Sequence, residues 1–214
     1  MPAIYLLRHG QASFGTDDYD VLSPLGERQA EVAGRALARR GLRSPVVVSG
    51  GLRRQRDTAA IAAAVLGVEP SRIDPRFDEF DAHAAVDAHL GGAGATDGMS
   101  SADFQRHLDV VMAEWMDSGD ERWRAFTDDA LGALADLADS LPPGSDAVVA
   151  TSAGVTAVIA GRLLGADSAG VIAMNRVSVN ASITTVVAGS RGLSLVSFND
   201  HAHVLDDRAL LTNR

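Results

Sequence analysis

Three consecutive residues near the start of the chain, Arg8-His9-Gly10, have side chains suited to handling phosphate. A neutral imidazole can attack phosphorus, and a guanidinium offers phosphate oxygens a planar fork of donors. A glycine lets the backbone come close to a ligand. Three residues are a weak signal, however, and alone they suit a structural loop histidine beside a surface charge at least as well. A second run, from Ser49-Gly50-Gly51-Leu52 through Arg53-Arg54-Gln55-Arg56-Asp57-Thr58-Ala59, adds arginines at a predicted helix start. Free N–H groups and the positive end of the helix dipole favour an anion there. The plainer alternative is a basic, solvated helix face.

The elements that must carry these residues can be read from apolar spacing. Ala3 to Leu7 is a short buried-strand signature, and Ala30, Ala33 and Leu37 then recur at helical spacing until Gly41. Val46-Val47-Val48 forms a second strand signature, followed by a helix carrying Ile61, Val65 and Leu66. Asp146 to Thr151 repeats the pattern, with Val155, Ile159 and Leu163 on the next helix. The alternation predicts a three-layer α/β/α fold with a mostly parallel central sheet. Both Arg8-His9-Gly10 and the arginine run would then lie on its carboxyl-end rim, where open α/β sheets bind ligands. Residues 182–198 alternate around Gly189 and Gly192 and predict a closing β-hairpin.

Between these units lies a stretch of different character, about residues 81–140. It holds Gly91-Gly92-Ala93-Gly94 and two amphipathic patterns, Phe104, Leu108, Val111, Trp115 and Ala130, Leu134, Leu137, Leu141. We read one domain over 1–214 with this stretch as an inserted helical lid.

Bulk composition narrows the function classes. The formal net charge is −9, which argues against nucleic acid or an anionic membrane as partner. An anionic substrate must therefore be held by local arginines. The chain has no cysteine, so thiolate chemistry, disulfides and cysteine metal sites are excluded and a reducing cytoplasm is permitted. The apolar run at the N-terminus ends at Arg8 and is too short for a signal peptide or a membrane span. The sequence sets no oligomeric state.

Other constellations are weaker. Gly91-Gly92-Ala93-Gly94-Ala95-Thr96 lacks the third glycine and preceding strand of a dinucleotide loop. Asp17, Asp18 and Asp20 lack the remaining positions of a calcium loop and read as a solvated acidic turn. His201-Ala202-His203 beside Asp200 has metal-ligand spacing but no third ligand, so no metal is expected. Thr151-Ser152-Ala153-Gly154 does not match a Gly-x-Ser-x-Gly nucleophile elbow.

Taken together, Leu6-Leu7-Arg8-His9-Gly10-Gln11, Leu22-Ser23-Pro24-Leu25-Gly26-Glu27-Arg28-Gln29-Ala30 and the Ser49 to Ala59 run resemble the histidine phosphatase (phosphoglycerate mutase-like) superfamily over most of the chain. The resemblance implies His9 as nucleophile, with Arg8 and Arg54 on phosphate. Arg54 is chosen because the family arginine precedes the threonine, here Thr58, by four residues. It implies a carboxylic acid in Arg76-Phe77-Asp78-Glu79-Phe80, with Glu79 ahead of Asp78 and Asp81. An acid flanked by Phe77 and Phe80 would also have its pKa raised.

The chain departs from the family at two places. Aligning Gly154-Val155 puts Ser152 where a second histidine is expected. Serine can donate one hydrogen bond and could cap the following helix, but it carries no charge, and the change could cost roughly 10²–10³ in rate if uncompensated. His201 or His203 could supply an imidazole, although His203 more readily fits a structural role. The loop after the nucleophile has Ala12 and Gly15 where mutases carry polar residues, leaving Gln11 and Ser13 as polar candidates. Hydrolysis of a small phosphorylated substrate, without a cofactor, is therefore the leading expectation. The alternatives are a weakly active or inactive phosphate-binding protein on the same fold and, after it, a mutase-type phosphotransferase.

Overall fold

The computed structural model describes residues 1–13 and 20–213. Gly15, Asp17 and Asp18 lie outside the described residues. Six strands form one sheet in the order β3-β2-β4-β1-β5-β6. They are β1 (Ala3–Arg8), β2 (Val46–Ser49), β3 (Pro70–Ile73), β4 (Ala147–Thr151), β5 (Ile183–Gly189) and β6 (Gly192–Asp200). Pairs β1·β4, β2·β4 and β2·β3 are parallel, whereas β5 runs antiparallel to both β1 and β6. The sheet is thus mostly parallel, and its last two strands are the predicted hairpin.

Strand periodicity builds the layers. Leu7, Val148 and Ala150 point to one face, where they meet Ala33 and Leu37 of α1 (Pro24–Arg39) and Ala59, Ala62 and Ala63 of α2 (Arg53–Leu66). The alternate residues Ile4, Leu6, Val48 and Val149 point to the other face. There they meet Leu134 and Leu137 of α5 (Glu121–Ser140) and Val155 and Ile159 of α6 (Ala153–Leu164).

The segment expected as a helical lid holds α3 (Ala82–Leu90), α4 (Ser101–Ser118) and α5. Helix α5 has two roles. Its later residues belong to the sheet core, while Trp123 near its start joins a separate cluster with Val86 of α3, Leu108 and Met112 of α4, and Val171 and Ile172 of α7 (Ser168–Val177). Helix α7 and the short edge strand β3 were not legible as separate elements. β3 is exposed along its whole length, so its residues carry no buried-strand pattern. No helix among the described residues is long and apolar enough to cross a membrane.

One backbone contact decides where the first loop leaves the sheet. A Cβ on Gly10 would stand 2.2 Å from the Gly26 carbonyl oxygen, and a Cβ on Gly26 would stand 2.1 Å from that of Gln11. Both distances are far inside van der Waals contact, so the loop and the first turn of α1 meet through bare backbone. Ser23 starts that helix by accepting from Gly26 N–H at 3.1 Å, with Pro24 in its first turn. Gly26→Ala is expected to destabilise the chain by about 1–3 kcal/mol, the usual cost of overpacking. A urea titration with an unchanged midpoint would contradict this.

Candidate active site

The carboxyl ends of β1, β2 and β4 place three chain segments side by side. Arg8 pairs in register with Thr151, and the His9 amide donates to the Thr151 carbonyl at 2.8 Å. His9 is therefore one strand away from Ser152. Helix α2 is joined to the same loop because Gly10 N–H donates to Thr58 Oγ1 at 3.1 Å, and Thr58 Oγ1 donates to the Arg54 carbonyl at 2.7 Å.

His9 is buried, with 6% of its surface exposed. Its Nδ1 lies 2.8 Å from the Gly10 carbonyl, and its Nε2 lies 3.2 Å from Arg54 Nε. A carbonyl can only accept and a guanidinium N–H can only donate. The ring is consequently the neutral Nδ1–H tautomer with its lone pair on Nε2. Burial first, then the charges of Arg8 and Arg54, push its pKa well below 6.5, against a smaller upward pull from the Gly10 carbonyl.

Arg8 is also buried, and its Nη1 donates to the Ser178 carbonyl. Arg54 Nη1 meets Asp20 Oδ1 at 2.7 Å, while Asp20 Oδ2 accepts from Arg53 N–H at 2.7 Å. Asp20 thus sits on the first turn of α2, the position anticipated for an anion. Arg53 Nε also lies 3.7 Å from Asp57 Oδ2.

Glu79 reaches the start of α6, where its Oε2 accepts from Gly154 N–H at 2.8 Å. A Cβ on Gly154 would lie 2.2 Å from Glu79 Oε1, so only glycine admits the carboxyl there. Oε1 is shut from solvent without a hydrogen-bond partner. Burial raises the Glu79 pKa, opposed by the Gly154 N–H, Arg54 and Arg8. The neighbouring acids are occupied otherwise. Asp78 accepts from Gly51 N–H, and Asp81 caps α3 through Ala84 N–H at 2.9 Å.

Ser152 stands at the N-terminus of α6, but its side chain makes no capping bond. Its Oγ instead accepts from Gln55 Nε2 at 2.9 Å. The capping role expected for this serine is therefore incorrect, because a buried amide from α2 takes the hydroxyl. His201 Nδ1 lies 2.6 Å from the Asn199 carbonyl, and His203 Nε2 lies 2.9 Å from that of Ala181. Burial lowers the His203 pKa, and the charged groups acting on it are Arg40, Asp200 and His201 rather than the His9 cluster. Neither imidazole hydrogen-bonds His9, Arg8, Arg54 or Glu79. Gln11 is tied to α1, with its N–H on Gln29 Oε1 at 2.8 Å and its Oε1 3.2 Å from Ser23 Oγ. Ser13 donates its backbone N–H to Val21. Among the described residues no group of three or more His, Asp or Glu is arranged to hold a metal ion.

Two participants escaped the sequence reading. Asp20 lies in an acidic turn with no periodic signal. Gln55 did leave one, because with Thr58, Ala59 and Ala62 it forms the buried stripe of α2, and a polar residue at a core position calls for a partner.

The neutral state of His9 has a pH consequence. In the unfolded chain the imidazole takes up a proton near its ordinary value, whereas the folded chain resists until lower pH. Stability should therefore rise with pH through this window and fall on acidification below about 6.5. His9→Gln should flatten that slope in denaturation series between pH 5 and 7. An equal slope in both proteins would contradict the assignment.

The family model for the histidine phosphatase superfamily (branch 1) matches residues 4–201. A mycobacterial glucosyl-3-phosphoglycerate phosphatase solved with VO3 is 25% identical with a TM-score of 0.68, the alignment covering 94% of this chain and 100% of that one. The product of an open reading frame of Mycobacterium tuberculosis is 20% identical with a TM-score of 0.63 over 93% and 97% of the two chains. A mutant phosphoserine phosphatase from Entamoeba histolytica, solved with phosphoserine, is 17% identical with a TM-score of 0.62 over 96% and 100%. No curated protein matches the chain. A match that runs from the first strand to the end of the last therefore makes this chain a member of the histidine phosphatase superfamily.

Proposed function

We propose that the protein hydrolyses phosphomonoesters through a phosphohistidine on His9. The observation that carries the reading is the neutral imidazole whose Nε2 lone pair meets Arg54 Nε–H at 3.2 Å. A bound phosphoryl oxygen takes that N–H in place of the ring, which frees the lone pair. His9 Nε2 then forms a bond to phosphorus as the bond to the leaving oxygen breaks, and the carboxyl of Glu79, whose pKa burial raises, gives that oxygen its proton. Arg8 and Arg54 carry the charge on the equatorial oxygens. In the second half, water attacks phosphorus and returns a proton to Glu79, and the N–P bond breaks to release inorganic phosphate. The scheme requires no cofactor.

The similar proteins named above act on glucosyl-3-phosphoglycerate and phosphoserine, which supports a small phosphorylated metabolite as substrate. Phe80, next to Glu79, packs edge-on against Trp115, Trp123 and Phe126. These rings lie on α4 and α5, so the helical segment is positioned to select the leaving group. The second reading, a phosphate-binding protein of little turnover, draws on the neutral Gln55–Ser152 pair standing where an imidazole is expected.

Brief exposure to a phosphorylated substrate should leave an acid-labile, base-stable label on His9 that is absent from His9→Ala. Glu79→Gln should slow esters of poor leaving groups by about 10²–10⁴ while sparing p-nitrophenyl phosphate. No turnover across a broad phosphoester panel, with phosphate still bound, would favour the second reading.

A further inference from the structure

Gln55 takes no part in the reaction above, yet it is fully buried between the segments that carry it. Its amide is fixed from both ends. Nε2 donates to the Phe77 carbonyl at 3.0 Å, and Oε1 accepts from Leu52 N–H at 3.3 Å, so the nitrogen and oxygen cannot be exchanged. The other Nε2 proton goes to Ser152 Oγ at 2.9 Å. With one lone pair of that oxygen filled, the hydroxyl proton is what Ser152 still has to give. No described residue accepts it.

The surroundings say what could. Ser152 follows Thr151, whose carbonyl holds the His9 amide, and it precedes by two residues the Gly154 N–H that holds Glu79. Along the chain, Ser152 thus lies between the backbone that holds the His9 amide and the backbone that holds Glu79. Arg54 precedes Gln55 on the same helix turn. One buried amide therefore links α2, the residue two before Glu79, and the start of α6.

We propose that Gln55 is a positioning residue that sets the Ser152 hydroxyl as a neutral donor to the phosphoryl group. The pocket then holds its anion through two guanidiniums and a hydroxyl, and it has no room for an imidazole at position 152 while Gln55 keeps its length. An imidazole reaches well past the Oγ position, where the Gln55 nitrogen already stands at 2.9 Å. Replacing the serine by histidine would also take away the acceptor of one buried Gln55 N–H. The proposal rests on the phosphatase reading of the site, but its test reads anion binding and so does not depend on turnover.

The experiment measures orthovanadate binding by the full chain and by Ser152→Ala, Gln55→Met, their double variant, Ser152→His, and Ser152→His with Gln55→Ala. Near-ultraviolet circular dichroism follows folding throughout. Ser152→Ala and Gln55→Met should each weaken vanadate by about 3–10-fold, the worth of one hydrogen bond. The double variant should be no weaker than the weaker single one, because both remove the same donor. Ser152→His alone should bind less tightly than the parent. Shortening Gln55 beside it should restore binding and add a tightening below about pH 6.5 as the new imidazole protonates, relative to the parent at each pH.

A folded Gln55→Met with parental affinity would overturn the proposal, as would additive losses in the double variant. Tighter binding by Ser152→His alone would do the same and does not depend on Gln55→Met folding. A parent that binds vanadate but turns over no ester sinks the hydrolase reading while leaving the coupling measurable. A parent that does not bind vanadate overturns the proposal.

Discussion

The pocket is organised by one constraint, a buried imidazole that cannot afford a charge. Two guanidiniums stand near His9, and removal from water adds to their repulsion of a third positive charge. Neutrality makes one nitrogen a donor and the other an acceptor, and the surroundings choose which. The Gly10 carbonyl takes the Nδ1 proton, leaving the lone pair on Nε2 toward Arg54. The bonds that fix the ring also fix its neighbour, since Gly10 N–H meets Thr58 Oγ1 and Thr58 Oγ1 meets the Arg54 carbonyl. Behind the ring, the His9 carbonyl accepts from Ala181 N–H at 3.2 Å and Asn180 Nδ2 at 3.3 Å. His9 and Arg54 are thus held by the same stretch of backbone, which leaves little rotamer freedom to lose if an anion binds.

Three carboxyl groups surround Arg54, each with different partners. Asp20 has a guanidinium and a helix amide, so its charge is compensated. Asp78 has backbone N–H groups, which lower its pKa against the burial that raises it. Glu79 Oε2 accepts from Gly154 N–H, the Phe80 N–H also opposes the burial that raises its pKa, and among the described residues Oε1 has no hydrogen-bond partner. An unsatisfied buried carboxylate oxygen is costly, whereas a protonated carboxyl gives up much less on burial. The raised pKa of Glu79 follows first from its burial beside the apolar Phe77 and Phe80, with one carboxyl oxygen left unpartnered among the described residues.

Much of this was legible in the sequence because it rests on period and punctuation. Apolar runs that stop at Arg8, Ser49 and Thr151 mark strand ends, and strand ends in a parallel sheet share one rim, so His9, Arg54 and Ser152 could be brought together without coordinates. The hairpin of β5 and β6 followed from alternation. What stayed hidden depends on contacts without a local period. Asp20 pairs with a residue 34 positions away, and Gln55 finds Ser152 across 97. The capping role expected for Ser152 was local reasoning overridden by such a long-range partner. Helix α5 shows the same limit in packing, because its amphipathic stripe announced a buried face but not that one end would serve the sheet and the other the helical cluster.

Arg54 connects these threads in the proposed reaction, since two of its N–H groups already have partners. Its Nε–H rests on the lone pair that must attack, and its Nη1 rests on Asp20. The Nε contact has to yield to a phosphoryl group, while a guanidinium with five N–H groups can meet the anion and still keep Asp20. The Asp20 side chain is about a third exposed, whereas that of Arg54 is largely buried. A phosphate dianion offers the same guanidinium more charge and more acceptor oxygens, and it offers Arg8 a ligand as well. Displacement is therefore favourable, and it has a direction, because the anion that draws Arg54 Nε away is the one that places phosphorus before the lone pair it releases. A neutral ligand has no such leverage on Arg54. In the proposed reaction, selectivity for phosphorylated compounds in a chain of net charge −9 arises from the arginine its own residues hold ready, and Asp20 orients that arginine.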